Sequence, residues 1–235
     1  MPATAPVSSA RQRVHAAVRE DIIGTAREQL AAAGAASLSL RAVARELGMA
    51  PSAMYRYFQS RDELLTALIV EAYDAMGAVA EAAAGHGGGT AAERFKSVCW
   101  ALRDWALAHP HEYALLYGTP VPGYHAPELT IDPASRVTRV LGGILRDACQ
   151  AGEIAESRIP PISEAMTAQA QPVAEEVMAG VPLPAVARGL AVWSFLFGQI
   201  SFEVFGRFEG VVTNGEVLFG YAIATMLDMV GLAAT

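Results

Sequence analysis

The stretch LSLRAVARELGMAPSAMYRYFQSRDELLTAL, residues 38–68, decides the fold of this chain. Its first apolar residues repeat at the i, i+3, i+4, i+7 spacing of one helix face. They are Leu40, Val43, Ala44 and Leu47. Ser39 is placed to cap this helix at its start, and Gly48 ends it. Only Met49 and Ala50 then precede Pro51, which suits the first turn of a new helix. The sequence therefore predicts two short helices joined by a tight turn.

Longer helices flank this pair. The segment from residue 18 to Gly34 has apolar residues at helical spacing, with Glu20 and Asp21 in the first turn, where the helix dipole favours acids. On the other side, Ser60 and Glu63 have the spacing of a capping box and open a long helix. Two short helices joined in this way form a helix-turn-helix unit, whose second short helix enters the major groove of DNA.

The second short helix, PSAMYRYF at residues 51–58, has the composition of a DNA-contacting tip. Met54 and Phe58 stand four apart, so we expect both to face inward and hold the helix down. The residues at its start are small, which lets the backbone approach DNA closely. Tyr55 and Tyr57 offer hydroxyls to phosphates, and Arg56 can reach a phosphate or a guanine edge. The alternative is a structural helical turn with surface tyrosines.

Charge is divided unevenly along the chain. Residues 1–61 carry a net charge of +4 and residues 62–235 carry −11, within a total of −7. A basic head on an acidic body favours nucleic acid as the partner of the head. Arg61 opposes the dipole of the helix in whose first turn it lies, and a phosphate partner would compensate for that.

The rest of the chain also has helical periodicity. Helices are predicted near residues 91–108, 110–117, 133–151, 162–179, 184–206 and 215–231, separated by glycine- and proline-rich breaks. We find no convincing strand alternation, so the predicted fold is all-α. We divide it into a flexible arm at 1–17, a three-helix helix-turn-helix head at 18–63, and a larger helical body at 64–235 that the long helix joins to the head.

The sequence favours a cytosolic protein. Cys99 and Cys149 form no CxxC pair and are most simply reduced thiols. The first twenty residues lack the apolar core of a secretion signal. The longest apolar run, residues 189–198, is too short to span a bilayer and is followed by Gln199, so we predict a buried helix and no membrane partner.

Chemical signatures are scarce in the body. HPHE at residues 109–112 has two histidines but no further ligands in reach by spacing, so we predict no metal site and no cofactor. No catalytic motif indicates an enzyme.

Aromatic residues are the main candidates for a ligand site in the body. Each can be ordinary core, yet a mostly apolar pocket with few polar groups is the usual ligand site. The predicted ligand contacts are Tyr73, Trp100, Arg103, His109, Tyr113, Tyr117, Met166, Gln169, Trp193 and Phe197.

Residues 38–68 resemble the DNA-binding module of the tetracycline-repressor (TetR) family of bacterial regulators. The pattern is carried by Ala44, Gly48, Ser52, Ala53, Tyr55, Phe58, Arg61 and Leu64. The resemblance covers about residues 18–68. In the body, YALLYGTPVPGYHAPE and VWSFLFGQISFEVFG look like the C-terminal ligand-binding and dimerisation domain of one branch of the family.

The resemblance implies a homodimeric transcription factor, a repressor that a small ligand releases from a palindromic operator. The implied DNA contacts are Ser39, Arg41, Pro51, Ser52, Ala53, Tyr55, Tyr57 and Arg61, to which we add Arg56. Members often have Ser or Thr where Ala50 stands, so this recognition helix lacks a side-chain cap. The alternatives are a helical small-molecule-binding protein without operator binding, and an all-α enzyme that uses the cavity.

Two further predictions concern the body. An apolar or aromatic ligand is expected between the long fourth helix and the helices at 91–117, 162–179 and 184–206, because lysine and arginine are scarce there. Dimerisation is expected through the helices near 184–206 and 215–231, which are apolar nearly all round. The predicted dimer contacts are the stripe Val186, Leu190, Trp193, Phe197, Ile200 and Val204 and the small residues Gly220, Ala222 and Ala224.

Overall fold

The structure, a computed structural model, describes residues 10–85, 89–154 and 161–232. Within those residues it is all-α, as predicted, with ten α-helices and two short 3-10 turns. An isolated β-bridge between Ile154 and Leu232 is the only strand-like pairing in these three segments. Residues 1–9 of the predicted arm lie outside the described residues.

Four helices build the head. They are α1 (Ala10–Ala33), α2 (Leu40–Glu46), α3 (Pro51–Met54) and the first half of α4 (Arg61–Gly85). A 3-10 turn, Ala35–Ser37, links α1 to α2. Gly34 and Gly48 have φ of 73° and 64°, the left-handed region that glycine adopts without strain, and each follows the end of a helix as predicted.

Six further helices build the body around the second half of α4. They are α5 (Ala91–Ala108), α6 (Pro110–Tyr117), α7 (Ile131–Ala151), α8 (Glu164–Glu176), α9 (Leu183–Val204) and α10 (Gly215–Val230). Their bounds lie close to the predicted ones because capping residues mark several of the starts. Thr90 and Glu93 form a capping box at α5, and Ser163 and Asn214 cap α8 and α10 with their side chains.

Four local features of the head differ from the prediction. Helix α3 ends at Met54 rather than at residue 58, and residues 55–57 form turns. Helix α1 begins at Ala10, so residues 10–17 are helical rather than part of a flexible arm. They contain alanine, arginine and glutamine, which are good helix formers even without an apolar face. Ser39 precedes α2 but makes no side-chain capping hydrogen bond. The head also extends past residue 63, because Leu64, Leu65, Leu68 and Ile69 belong to its core.

Two apolar cores meet along α4. The head core contains Met54 and Phe58, both buried as their spacing predicted. The body core gathers residues of α5, α7, α9 and α10 around the second half of α4. Helix α4 contributes Leu68 and Ile69 to the first core and Ala72 and Met76 to the second. A movement of α4 therefore changes the packing of both cores.

Among the described residues, α9 is the one helix long and apolar enough to cross a membrane by length and composition, with a mean hydropathy of 1.3. Core helices have the same composition. Here α9 packs against α5, α7, α8 and α10. Val186, Leu196 and Ile200 are buried in the body core, which accounts for much of its apolar character.

The buried phenol of Tyr113 predicts a loss of stability at alkaline pH. Tyr113 donates to the carbonyl of Phe197 at 3.1 Å and lies 2.8 Å from the hydroxyl of Ser201. Burial raises the pKa of Tyr113 to about 12 from 10.0. Above pH 10 the unfolded chain therefore releases this proton before the folded chain does, and Tyr113 alone lowers the free energy of unfolding by up to about 1.4 kcal/mol per pH unit until the folded pKa is reached.

Urea unfolding between pH 8 and pH 11.5 tests this expectation. Tyr113→Phe is less stable at pH 8, because the carbonyl and hydroxyl partners lose their hydrogen bonds. Its stability should nevertheless decline less steeply above pH 10 than that of the wild type. Equal slopes for the two proteins would contradict the assignment.

Candidate DNA-binding surface and effector cavity

The tip of the head is a basic and aromatic surface. Met54 and Phe58 anchor α3 and the turn after it in the head core, so the opposite side of this segment faces solvent. Of the predicted DNA contacts, the exposed ones are Arg41, Pro51, Ser52, Tyr55 and Arg56, while Ser39, Ala53 and Tyr57 are half-buried. Tyr55 keeps 49% of its surface accessible to solvent.

The first turns of α1 support this tip. The ring of Tyr57 lies 4.7 Å from the ring of His15, measured between centroids. The guanidinium of Arg19 lies over the ring of Phe58 at 4.9 Å, within the range of a cation–π contact. His15, in the part of α1 that was predicted as a flexible arm, thus packs on Tyr57, and Arg19, in the predicted head, packs on Phe58. Of the two tyrosines, Tyr55 is the one more open to a partner.

Arg61, predicted to contact a phosphate, is directed into the head instead. Its guanidinium donates to the carbonyls of Leu38 at 3.1 Å and Ala35 at 2.8 Å. It also lies 3.6 Å from the carboxylate of Asp62. These contacts within the protein compensate for the unfavourable interaction of Arg61 with the helix dipole, so a phosphate partner is not needed to explain its position. The structure assigns Arg61 to joining α4 to the connection between α1 and α2.

A cavity of about 590 Å³ lies between the body and the head. Helix α4 contributes Ile69 and Tyr73 to it, and α6 contributes Leu115 and Leu116. The remaining walls come from the start of α7, the end of α8 and the loop between α6 and α7. Their lining residues are Gly118, Thr119, Pro120, Val121, Tyr124, Ala126, Thr130, Ile131, Ala134, Ser135, Thr138, Glu176 and Val177.

The position of this cavity differs from the predicted one. The prediction included walls from α5 and α9, but α7 and the α6–α7 loop take their place. Tyr73 is the only predicted ligand residue among the described residues that line it. Burial raises the pKa of Tyr73, so its phenol is a neutral hydrogen-bonding group at physiological pH.

Four other predicted ligand residues form an aromatic stack behind Tyr73. The ring centroids of Tyr117 and Phe197 are 4.5 Å apart, those of Tyr113 and Tyr117 are 5.0 Å apart, and those of Trp193 and Phe197 are 5.3 Å apart. Tyr117 meets Tyr73 edge-on at 6.5 Å. These rings pack against one another, which favours the alternative interpretation that they are ordinary core residues.

Arg103 and Trp100 are directed toward α9 and α10. Arg103 donates to both carboxylate oxygens of Glu203, at 2.7 and 2.5 Å. Trp100 packs edge-on against Phe219 at 5.1 Å, and the guanidinium of Arg103 lies 5.4 Å from the Trp100 ring centroid. The charge of Arg103 is thus paired inside the protein, and its guanidinium lies outside the lining of the 590 Å³ cavity.

The last three predicted ligand residues lie apart from the cavity. His109 stacks on Trp105 at 5.2 Å and lines a second cavity of about 290 Å³ between α1, α4 and α5–α6. Met166 packs on the body core, and Gln169 is exposed on α8. Within the described segments, no group of three or more His, Cys, Asp or Glu side chains is placed to hold a metal ion.

Sequence reasoning missed the α6–α7 loop as part of the site. Tyr124 of this loop lines the cavity, and its hydroxyl lies 2.9 Å from the hydroxyl of Thr66 in the head. The signal that could have found it is VPGY, residues 121–124, which has the proline and glycine positions of a type II turn. Such a turn holds its flanking residues in place, whereas the sequence pattern indicated a break between helices and part of a family resemblance, and no ligand contact was predicted in it.

The outward faces of α9 and α10 form an apolar surface. Several of its members are large and exposed: Phe202 and Phe205 at the end of α9, Val211 in the connection, and Val217 and Tyr221 on α10. Ala191, Ser194 and Ala224 are small and exposed on the same two helices. Of the predicted dimer stripe, Val186, Phe197 and Ile200 are buried within the subunit, whereas Leu190, Trp193 and Val204 are half-buried. Gly220 faces Trp100.

Comparisons with known proteins agree with this architecture. Residues 22–68 match the family described as bacterial regulatory proteins, tetR family, and residues 95–226 match the tetracyclin repressor-like C-terminal domain. The HTH-type transcriptional regulator Rv1816 of Mycobacterium tuberculosis is 38% identical over 219 residues, which are 89% of each chain. A regulator of Mycobacterium bovis, Mb1846, matches with the same identity and coverage.

Solved structures give the same result for the fold. SCO4313, a protein described as regulatory, superposes with a TM-score of 0.77 at 36% identity, over 93% of this chain and 99% of that one. The TetR family regulator PfmR of Thermus thermophilus superposes with a TM-score of 0.57 at 21% identity, over 91% and 99% of the two chains. The matched families and relatives are DNA-binding regulators rather than enzymes. This chain belongs to the TetR family of bacterial transcriptional regulators.

Proposed function

We propose that the protein acts in the cytoplasm as a homodimeric repressor that binds a palindromic operator and is released by an apolar or aromatic effector. The exposed tip formed by Pro51, Ser52, Tyr55 and Arg56 carries the DNA-binding part of this proposal. It has no acidic residue, and it lies on a head of net charge +4. Such a tip enters the major groove, and two tips read half-sites about 34–36 Å apart.

The chemistry of the 590 Å³ cavity supports the effector part. Among its described lining residues there is no lysine, arginine or histidine, and the one ionisable carboxylate is that of Glu176. An anionic ligand would lose its hydration without gaining a cationic partner, which costs several kcal/mol. The hydroxyls of Tyr73, Thr119 and Thr138 can orient a neutral molecule.

Salt dependence separates phosphate contacts from structural arginines. Arg41→Ala and Arg56→Ala should each weaken binding to operator and to unrelated DNA alike, and each should lower the slope of log K against log salt by about one unit. Fluorescence anisotropy with DNA from the region flanking the gene measures both. Arg139→Ala is the matched control, because Arg139 is exposed on α7 and pairs with Asp132.

Arg61→Ala should behave differently from these variants. It removes hydrogen bonds to Leu38 and Ala35, so it should lower the thermal midpoint of the head and leave the salt slope of the folded protein unchanged. If neither Arg41→Ala nor Arg56→Ala changes the slope, the tip does not bind phosphates. The rival function, a helical small-molecule-binding protein without operator binding, would then be favoured.

The effector class is tested by a thermal-shift comparison of matched compounds. Indole and naphthalene derivatives without charge should raise the midpoint of unfolding, whereas their carboxylates should not. Each stabilising compound is then added to the operator complex, and the proposal requires weaker DNA binding. Stabilisation by carboxylates alone would contradict the proposed effector chemistry.

A further inference from the structure

We infer that the α6–α7 loop, residues 118–127, transmits occupancy of the 590 Å³ cavity to the DNA-binding head through the hydrogen bond between Tyr124 and Thr66. We call this segment the clasp loop. The inference rests on the proposed function and adds the part of the protein that links the two sites. It differs from a simple push on α4, because it assigns the coupling to one turn and one hydrogen bond.

A locked turn fixes the position of Tyr124. The backbone N–H of Tyr124 donates to the carbonyl of Val121 at 3.1 Å. Pro122 and Gly123 occupy the two central positions, and Gly123 has φ of 78°. Proline followed by a glycine of positive φ is the pattern of a type II turn. The turn therefore holds Tyr124 in one direction, and a displacement of Val121 moves Tyr124 with it.

Tyr124 is the donor in the hydrogen bond to the head. The hydroxyl of Thr66 donates its single hydrogen to the carbonyl of Asp62 at 2.8 Å. The 2.9 Å contact between the hydroxyls of Tyr124 and Thr66 must then be a donation from Tyr124. Thr66 is buried, and Leu65 and Leu68, which are close to it in α4, belong to the head core. The clasp loop is thereby attached to the part of α4 that belongs to the head.

The cavity and the head share this wall. Several residues that line the cavity also belong to the head core or pack against it: Ile69, Tyr73, Leu115, Leu116, Val121 and Tyr124. Ala134 and Ser135, which also line the cavity, belong to α7. Arg136 anchors α7 to α4 by hydrogen bonds to the carboxylates of Asp74 and Glu81. A molecule that fills the cavity is therefore resisted by α7 and displaces the clasp loop more readily.

A large side chain placed in the cavity can take the role of the effector. Ala134→Phe adds a ring from the α7 wall, so no ligand has to be known. We expect this variant to bind operator DNA about tenfold more weakly than the wild type, within the 5–150-fold range of typical allosteric couplings. Ala151→Phe is the control, because Ala151 is exposed at the other end of α7 and lies outside the cavity lining.

Tyr124→Phe removes only the hydroxyl that reaches Thr66, and it keeps the ring in the wall. It should also weaken operator binding, by a smaller factor than Ala134→Phe. In the double variant the two effects should not multiply, since the filled cavity acts through the contact that Tyr124→Phe has already removed. Circular dichroism and the thermal midpoint verify that each variant is folded.

The outcomes distinguish the inference from the proposed function. If the wild type binds no operator, the proposed function fails. If the wild type binds operator DNA and folded Ala134→Phe binds it equally well, the inferred coupling is wrong, although the proposed DNA-binding function is retained. If the effects of the two substitutions multiply fully in the double variant, coupling from the cavity does not pass through Tyr124, and the inference is overturned. The inference is supported if the double variant loses less operator affinity than the product of the losses in the two single variants.

Discussion

Tyr221→Glu will convert the proposed dimer into a monomer of 24.7 kDa at micromolar concentration. Tyr221 is 74% exposed on α10, and Phe202 on α9 is 53% exposed. A two-fold dimer through this surface would bury the substituted side chain of both subunits in the interface. Each of the two carboxylates would lose its hydration without gaining a partner, which costs several kcal/mol per carboxylate. The subunit itself should keep its fold, because Tyr221 makes little contact within it.

Light scattering coupled to size exclusion measures the mass. Leu129→Glu is the matched control, since Leu129 is 60% exposed and belongs to neither α9 nor α10. Loss of the dimer should also weaken operator binding by a factor of about 10²–10⁴, because the second head no longer binds as part of the same molecule. A dimeric Tyr221→Glu protein would exclude this surface as the interface.

Arg103→Met will cost more stability than the loss of any surface ion pair in this protein. The side chain of Arg103 is 7% exposed and that of Glu203 is 19% exposed. The hydrogen bond to Glu203 raises the pKa of Arg103, so the guanidinium is charged in the folded protein. Removing the arginine leaves a mostly buried carboxylate without its partner, and we expect a loss of about 3 kcal/mol.

A double-mutant cycle checks this value. Arg103→Met combined with Glu203→Met should be markedly more stable than Arg103→Met alone, because the uncompensated charge is then absent. Arg139→Met serves as the control, since the exposed pair of Arg139 with Asp132 should contribute less than about 1 kcal/mol. A double variant as unstable as the single one would show that packing, and not charge, is what Arg103 provides.

The fold could be predicted from the sequence because helical spacing and capping patterns involve residues that are close together in the chain. Met54 and Phe58 are four residues apart, and both are buried as that spacing predicted, although Phe58 lies in the turn after α3. Capping residues such as Ser163 and Asn214 determine where α8 and α10 begin. The helical structure of residues 10–17 was missed because they have no apolar face, and the ring of Tyr57 that packs on His15 is about forty residues away.

The site was harder to predict because its contacts are distant in the sequence. Arg103 and Glu203 are separated by 100 positions, so no spacing rule connects them. Helix α9 is apolar nearly all round, and its pattern does not tell which face meets the core. Phe197 was therefore assigned to the ligand and the dimer, although it is buried in the aromatic stack. Tyr124 contacts Thr66 across 58 positions and carries no periodicity.

The continuity of α4 sets the rotational phase between the two halves of the protein. Its 25 residues run without a break from Arg61 to Gly85, and Ile69 and Ala72 belong to different cores. One residue inserted between them would turn one set of contacts by about 100° relative to the other. A head exchanged between relatives would therefore have to keep the number of residues across this join, in addition to the side chains that contact the body.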